Sequence, residues 1–275
     1  MTHPLVMGVL NVTPDSFSDG GLYLDTDAAV AHAHAMAADG AAIVDVGGES
    51  TRPGAEPVAE DEELARVIPV VERIAASAAE PRVSIDTRKL AVAEAAVQAG
   101  ARIVNDVSAF RSAPEMAGLV AGSGATCCLM HMLGGDPRTM QADPRYDDVV
   151  SDVRSFLEER LAFAVSEGVP EERVWLDPGI GFGKTIDHNL ELLRRLDEIV
   201  AIGRPVVIGA SRKSFLGRIT GRDEHGRLAA TVAANVVAFE RGASIFRVHD
   251  VREAVDSLKV AAATFAGRWT TSPSG

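Results

Sequence analysis

The chain has 275 residues, and its 27 Lys+Arg against 39 Asp+Glu give a formal charge of −12. That balance excludes a sequence-independent nucleic-acid binder, which needs a basic stripe, and leaves any anionic ligand to a local cation cluster. At 47% hydrophobic and 24% charged residues the composition excludes a disordered chain.

Taken from the N-terminus, short apolar runs fall at 5–10, 42–46, 82–85, 102–104, 126–130, 174–176, 205–208 and 244–248. Between them lie stretches of helical spacing at 27–38, 61–78, 89–99, 149–167, 189–200, 228–240 and 251–266. Gly40, Gly100, Gly168, Gly203 and Gly242 follow these stretches, where a left-handed C-terminal cap is expected. Eight strand–helix units with near-continuous apolar strands imply a parallel sheet covered by helices, and a (β/α)8 TIM barrel accommodates eight without exposed edges. A doubly wound open sheet is the rival. It usually carries G-x-G-x-x-G after its first strand, whereas the first strand here runs into Asn11-Val12-Thr13-Pro14-Asp15.

No Pro/Ser-rich linker divides the chain, so residues 1–268 are read as one barrel and 269–275 as a disordered tail. Long loops are expected at 12–26 and 47–60, and a polar, mobile interruption at 217–227. Cys127 and Cys128, adjacent in an apolar run, fit two small core residues rather than a disulfide framework or a zinc site. Met1-Thr2-His3-Pro4 carries no basic leader and no run approaches about 18 apolar residues, which predicts a cytoplasmic chain without a signal peptide or membrane span.

The first polar residues after each apolar run are Asn11, Asp45 with Glu49, Asp86, Asn105, His131, Asp177, Ser211 with Lys213, and Arg247 with His249. A barrel gathers these strand ends into one mouth, with its active site there. Singly, Asp86-Thr87 or Asn105-Asp106 could be helix caps or turn formers. Together they sort by chemistry. Lys213, Arg247 and His249 follow the last two strands, where barrels frequently hold a phosphate. Asp86, Asn105 and Asp177 could hydrogen-bond the N–H and amino edges of a flat heterocycle. Asn11 could give one oxygen to a Mg²⁺ ion that also takes phosphate oxygens, or could orient its own loop. Segments 15–21 and 47–54 read as lids over the mouth. His131 could line the pocket or pack. His3, His32, His34, His188 and His225 show no metal-ligand spacing.

These residues resemble the dihydropteroate synthase family. The resemblance is carried by MGVLNVTPDSFSDGG at 7–21, IVDVGGESTRPG at 43–54, SIDT at 84–87, VNDV at 104–107, LDPGIGFGKT at 176–185, GASRKSF at 209–215 and FRVHD at 246–250. It implies a homodimeric, Mg²⁺-requiring barrel transferase that joins 6-hydroxymethyl-7,8-dihydropterin diphosphate to 4-aminobenzoate, giving 7,8-dihydropteroate and pyrophosphate. By that resemblance Asp86, Asn105, Asp177 and Lys213 hold the pterin, and Asn11, Thr51, Arg247 and His249 meet the diphosphate, with Asn11 at the metal. Phe17, Thr51, Arg52, Pro53, Phe182, Lys213 and Ser214 shape the 4-aminobenzoate pocket, where sulfonamides compete. Lys213, Arg247, His249, Arg52 and Asp86 are the expected catalytic residues. A pterin-dependent methyltransferase and a non-catalytic pterin-binding paralogue are the alternatives. The intact Ser50-Thr51-Arg52-Pro53 loop, beside Ser211-Arg212-Lys213-Ser214 and Arg247-Val248-His249, favours the synthase.

Overall fold

The structure is a computed structural model that describes residues 3–13, 21–50, 54–77 and 81–267, with backbone only for 21–25. Eight parallel strands are present: β1 (Leu5–Asn11), β2 (Ile43–Gly47), β3 (Arg82–Asp86), β4 (Ile103–Asp106), β5 (Thr126–Met130), β6 (Val174–Asp177), β7 (Val207–Ile208) and β8 (Ile245–Val248). They run in the order β6-β5-β4-β3-β2-β1-β8-β7. A parallel bridge between Leu176 and Val206 joins the two ends into a barrel. The TIM-barrel expectation holds.

The pleat explains how the barrel is filled. Alternate residues of a strand face opposite sides, so inward residues recur every second position. One inward layer is apolar: Met7, Ile43, Ile103, Cys128, Trp175, Val207 and Ile245 form a single buried cluster. Two residues further toward the C-terminal mouth, the same parity brings Asp45 after Ile43, Asn105 after Ile103, Asp177 after Trp175 and Arg247 after Ile245. Asp86 follows Ser84 in the same step and pairs in register with Asn105. The outward residues, among them Val44, Val46, Ile85, Leu129, Leu176, Ile208 and Phe246, pack beneath the helices in the main core. A dry floor therefore lies directly below a charged ring.

The described helices are α1 (Gly21–Ala38), α2 (Glu60–Ala75), α3 (Leu90–Gln98), α4 (Met116–Ser123), α5 (Val149–Ser166), α6 (Ile186–Arg194), α7 (Leu196–Val200), α8 (Ser214–Thr220), α9 (Leu228–Glu240) and α10 (Val251–Ala266). All five expected cap glycines have positive φ, between 90° and 115°. Three expectations need correction. The stretch 189–200 is two helices. It starts earlier, where Thr185 and His188 form a capping box, and breaks at Arg195, whose guanidinium is held by Asp148, Glu191 and Glu198. The segment 217–227 is no simple interruption: Gly217–Thr220 completes α8, and His225–Arg227 forms a 3₁₀ turn. Helix α1 begins at Gly21, so the first loop is shorter than expected. The tail 269–275 lies outside the described residues.

Candidate active site

The charged ring is tied together by hydrogen bonds between residues far apart in the chain. Arg247 Nε donates to Asp45 Oδ2 at 2.6 Å, and Arg247 Nη2 donates to Asp86 Oδ2 at 2.8 Å. Asn105 Nδ2 donates to the same Asp45 oxygen at 3.0 Å. Asp177 Oδ1 accepts the Gly179 N–H at 2.6 Å. That turn requires glycine: Gly179 has φ +68°, and a Cβ there would lie 1.8 Å from the His131 carbonyl oxygen. Asp86 and Asn105 are therefore not helix caps. The N-cap of α3 is Lys89, without a side-chain bond. The turn-forming role falls to Asp106, whose carboxylate accepts the N–H groups of Ser108 and Phe110 at 2.7 Å each.

Burial and charge set opposing terms. Burial pushes the Asp86 carboxyl up to about 7; Arg247 opposes this, while the like charges of Asp45, Glu63 and Asp106 add to it. Burial also lifts Asp177, to about 6, against the Gly179 N–H and the charges of Lys213 and Arg247. For Arg247 burial works against the charge, but Asp45 and Asp86 outweigh it and hold the guanidinium above its usual range. With both carboxyls raised toward neutral pH, a ligand that offers N–H groups favours their ionised, accepting form.

The other expected residues border this ring. Lys213 Nζ lies 4.0 Å from the centroid of the Phe182 ring, a cation–π contact. Lys213 occupies the N-cap position of α8, ahead of exposed Ser214. Its predecessor Arg212 has a left-handed backbone, φ 56°, held by the Thr231 hydroxyl on its N–H and by Arg227 on its carbonyl. The Arg212 guanidinium forks onto Asp250 at 3.0 and 2.5 Å. His249 shares the inward parity of Arg247; its backbone N–H donates to Ser211 Oγ at 3.1 Å, and its Nδ1 lies 3.0 Å from that oxygen. The Ser211 hydroxyl therefore holds both the backbone and the ring of His249 in place. Asn11 ends β1, half-buried and in register with Gly47. Phe17, Thr51, Arg52 and Pro53 lie outside the described residues. The flanks of the segment with Thr51, Arg52 and Pro53 are anchored: Lys89 Nζ reaches Glu49, Glu63 and the Val58 carbonyl, and Arg88 reaches Glu49 at 2.8 Å.

A family model described as pterin binding enzyme matches residues 7–249. The chain belongs to the pterin-binding enzyme family. The dihydropteroate synthase of Mycobacterium leprae is 52% identical over 265 residues, covering 94% of this chain and 92% of the relative. The dihydropteroate synthase of Xanthomonas albilineans solved with 4-aminobenzoic acid has a TM-score of 0.89 to this chain at 47% identity, covering 96% of this chain and 94% of that one. The same enzyme in complex with 7,8-dihydropteroate gives a TM-score of 0.85 at 45% identity, with the same coverage.

Of the residues of this pterin-binding enzyme, the sequence reading left one undecided and missed another. His131 was left open, and it packs: it is buried, edge-on to Phe156 at 4.9 Å between centroids. Its Nδ1 accepts from Lys184 Nζ at 2.8 Å. Burial, Lys184 and Arg111 depress the imidazole to about 2, so it stays neutral. Lys184, read only as part of a glycine-rich segment, is 4% exposed and also donates to the Phe182 carbonyl at 3.0 Å. Burial depresses its ammonium to about 7, against Asp177. A lysine depressed in the folded state binds fewer protons there than when unfolded, so stability rises with pH from about 7 toward 10.5. Lys184→Met is expected to remove that rise, measured as urea midpoint against pH. An unchanged slope would show that Lys184 remains charged when folded.

Proposed function

We infer that the chain is a dihydropteroate synthase, which joins 6-hydroxymethyl-7,8-dihydropterin diphosphate to 4-aminobenzoate and releases pyrophosphate. The observation that carries the reading is the inward ring at the barrel mouth. Asp86, Asn105 and Asp177 leave oxygens without a protein donor among the described residues, next to Arg247 and Lys213. A flat heterocycle rich in N–H groups and carrying a diphosphate answers that arrangement, and the full-length relatives are synthases.

In this reading Asp86, Asn105 and Asp177 accept the pterin N–H groups, and Lys213 lies between the ring and the 4-aminobenzoate pocket. That pocket is built by Phe17, Thr51, Arg52, Pro53, Phe182, Lys213 and Ser214. Arg247, His249, Thr51 and Asn11 face the diphosphate. No group of three His, Cys, Asp or Glu able to hold a metal occurs among the described residues. Asn11, at the mouth end of β1, is the residue that would hold a Mg²⁺ ion brought by the diphosphate. When bound, it would add positive charge beside the leaving pyrophosphate. Arg247 and His249 stabilise the same charge as the C–O bond at the pterin methylene breaks. The arylamine nitrogen forms the new C–N bond and loses its proton to solvent. The protein supplies no nucleophile. It positions the two substrates, and in this reading the segments 15–21 and 47–54 act as the lids that exclude water.

We further place the enzyme in the cytoplasm and as a homodimer. Among the described residues no helix is long and apolar enough to cross a membrane. Val237 on α9 and Val260 and Phe265 on α10 expose an apolar surface that fits a second copy. Titration calorimetry tests the ligand reading: the pterin diphosphate should bind one per chain, more weakly when Mg²⁺ is chelated. No binding with Mg²⁺ present would overturn it.

A further inference from the structure

Asp45 plays no part in the expected machinery, yet it lies in the same ring and holds two of its members. It is wholly buried, and one oxygen, Oδ2, takes both the Arg247 Nε–H and the Asn105 amide, from residues 202 and 60 positions away. Its other oxygen, Oδ1, is buried without a hydrogen-bond partner among the described residues. A carboxylate paired with a guanidinium only accepts hydrogen bonds, so Asn105 must turn Nδ2 toward it. The opposite end of the amide, Asn105 Oδ1, meets no donor among the described residues and is the end left for a ligand. Without Asp45 an asparagine can present either end at nearly equal energy. With it, the mouth carries three acceptors: Asp86, Asn105 and Asp177.

We propose that Asp45 is a positioning residue that fixes the Asn105 amide as an acceptor and holds the plane of the Arg247 guanidinium, thereby selecting rings that offer amino groups over rings that offer carbonyls. This rests on the reading of the mouth as a pterin pocket. Asp45 does so through Asn105 and Arg247. A buried acceptor faced by another acceptor is left unpaired, which is why the selection is strong.

The experiment compares two ring probes, 6-hydroxymethylpterin and the corresponding lumazine, which has a carbonyl where the pterin has its 2-amino group. Wild type is expected to prefer the pterin by about tenfold to hundredfold. Asp45→Asn conserves shape but can offer an N–H to Asn105, freeing the amide to turn, so the preference should fall to within about threefold. The double variant Asp45→Asn with Asn105→Asp reverses the hydrogen bond and restores an acceptor at position 105, and the preference should return. It also carries the test if Asp45→Asn alone melts below the assay temperature. A wild type that binds neither ring overturns the pocket reading itself. A wild-type preference retained in Asp45→Asn, or affinity for both rings lost in equal proportion, overturns the role of Asp45 while leaving the pocket in place. A double variant that folds without recovering the preference also counts against it.

Discussion

Replacing Arg247 by alanine is expected to destabilise the protein by about 3 kcal/mol and to lower kcat/KM by roughly 10³ or more. The stability loss follows from what remains behind. Asp45, fully buried, loses its only charged partner among the described residues, and Asp86 loses the guanidinium that opposes its burial. Removing one member of a buried pair leaves an uncompensated charge, which typically costs about 3–5 kcal/mol; the lower end applies because the Arg247 side chain is 23% exposed. In a chain of this length that shifts Tm by roughly 6–12 °C. The activity loss has a separate cause, the missing positive charge at the departing pyrophosphate. Arg247→Lys separates the two effects: it keeps the charge but cannot fork between two carboxylates, so it should recover part of the stability and little of the turnover. Calorimetric melting within about 1 °C of wild type for Arg247→Ala would contradict the ion-pair account.

The second large effect is expected at Lys213. Its ammonium lies over Phe182 and its charge acts on Asp177, so it joins the proposed aminobenzoate and pterin halves of the site. Lys213→Ala should lower kcat/KM by about 10²-fold and weaken pterin binding. Stability should fall by about 1 kcal/mol, the scale of the lost cation–π contact with Phe182. Wild-type kinetics in that variant would remove Lys213 from the site. The left-handed Arg212 just before it is braced by Thr231, Arg227 and Asp250, a form of local strain maintained where a side chain must be aimed.

Much of the fold was legible because the strand signal is periodic and local. All eight apolar runs became strands with ends shifted by no more than two residues. The largest shortening is at 205–208, where only Val207–Ile208 forms the strand: Pro205 has no N–H for the ladder and instead lends its carbonyl to Leu176. Helix α4 was not foreseen, since its eight residues include Gly118 and Gly122 and its register comes from packing rather than propensity. The break at Arg195 was hidden for a similar reason, because its acidic partners include Asp148, 47 residues away.

The candidate site was legible residue by residue but not as a network. Asp86, Asn105, Asp177 and Arg247 could be named from their strand ends. That Arg247 spans Asp45 and Asp86 depends on β1 pairing with both β2 and β8, a closure that no local pattern encodes. Asp45 was visible as a polar residue in an apolar strand, but its burial hid its purpose. Lys184 was masked by the glycines around it. Its role emerges only where the 177–184 loop meets the segment after β5, through His131, Gln141 and Tyr146.

The most direct test is pyrophosphate release from 6-hydroxymethyl-7,8-dihydropterin diphosphate, followed with and without 4-aminobenzoate and with Mg²⁺ present or chelated. Release that needs both 4-aminobenzoate and Mg²⁺, with dihydropteroate formed in equal amount, is the expected result. Tight pterin binding without pyrophosphate release under any of these conditions would contradict the synthase and leave a protein that holds the ring without catalysing its transfer.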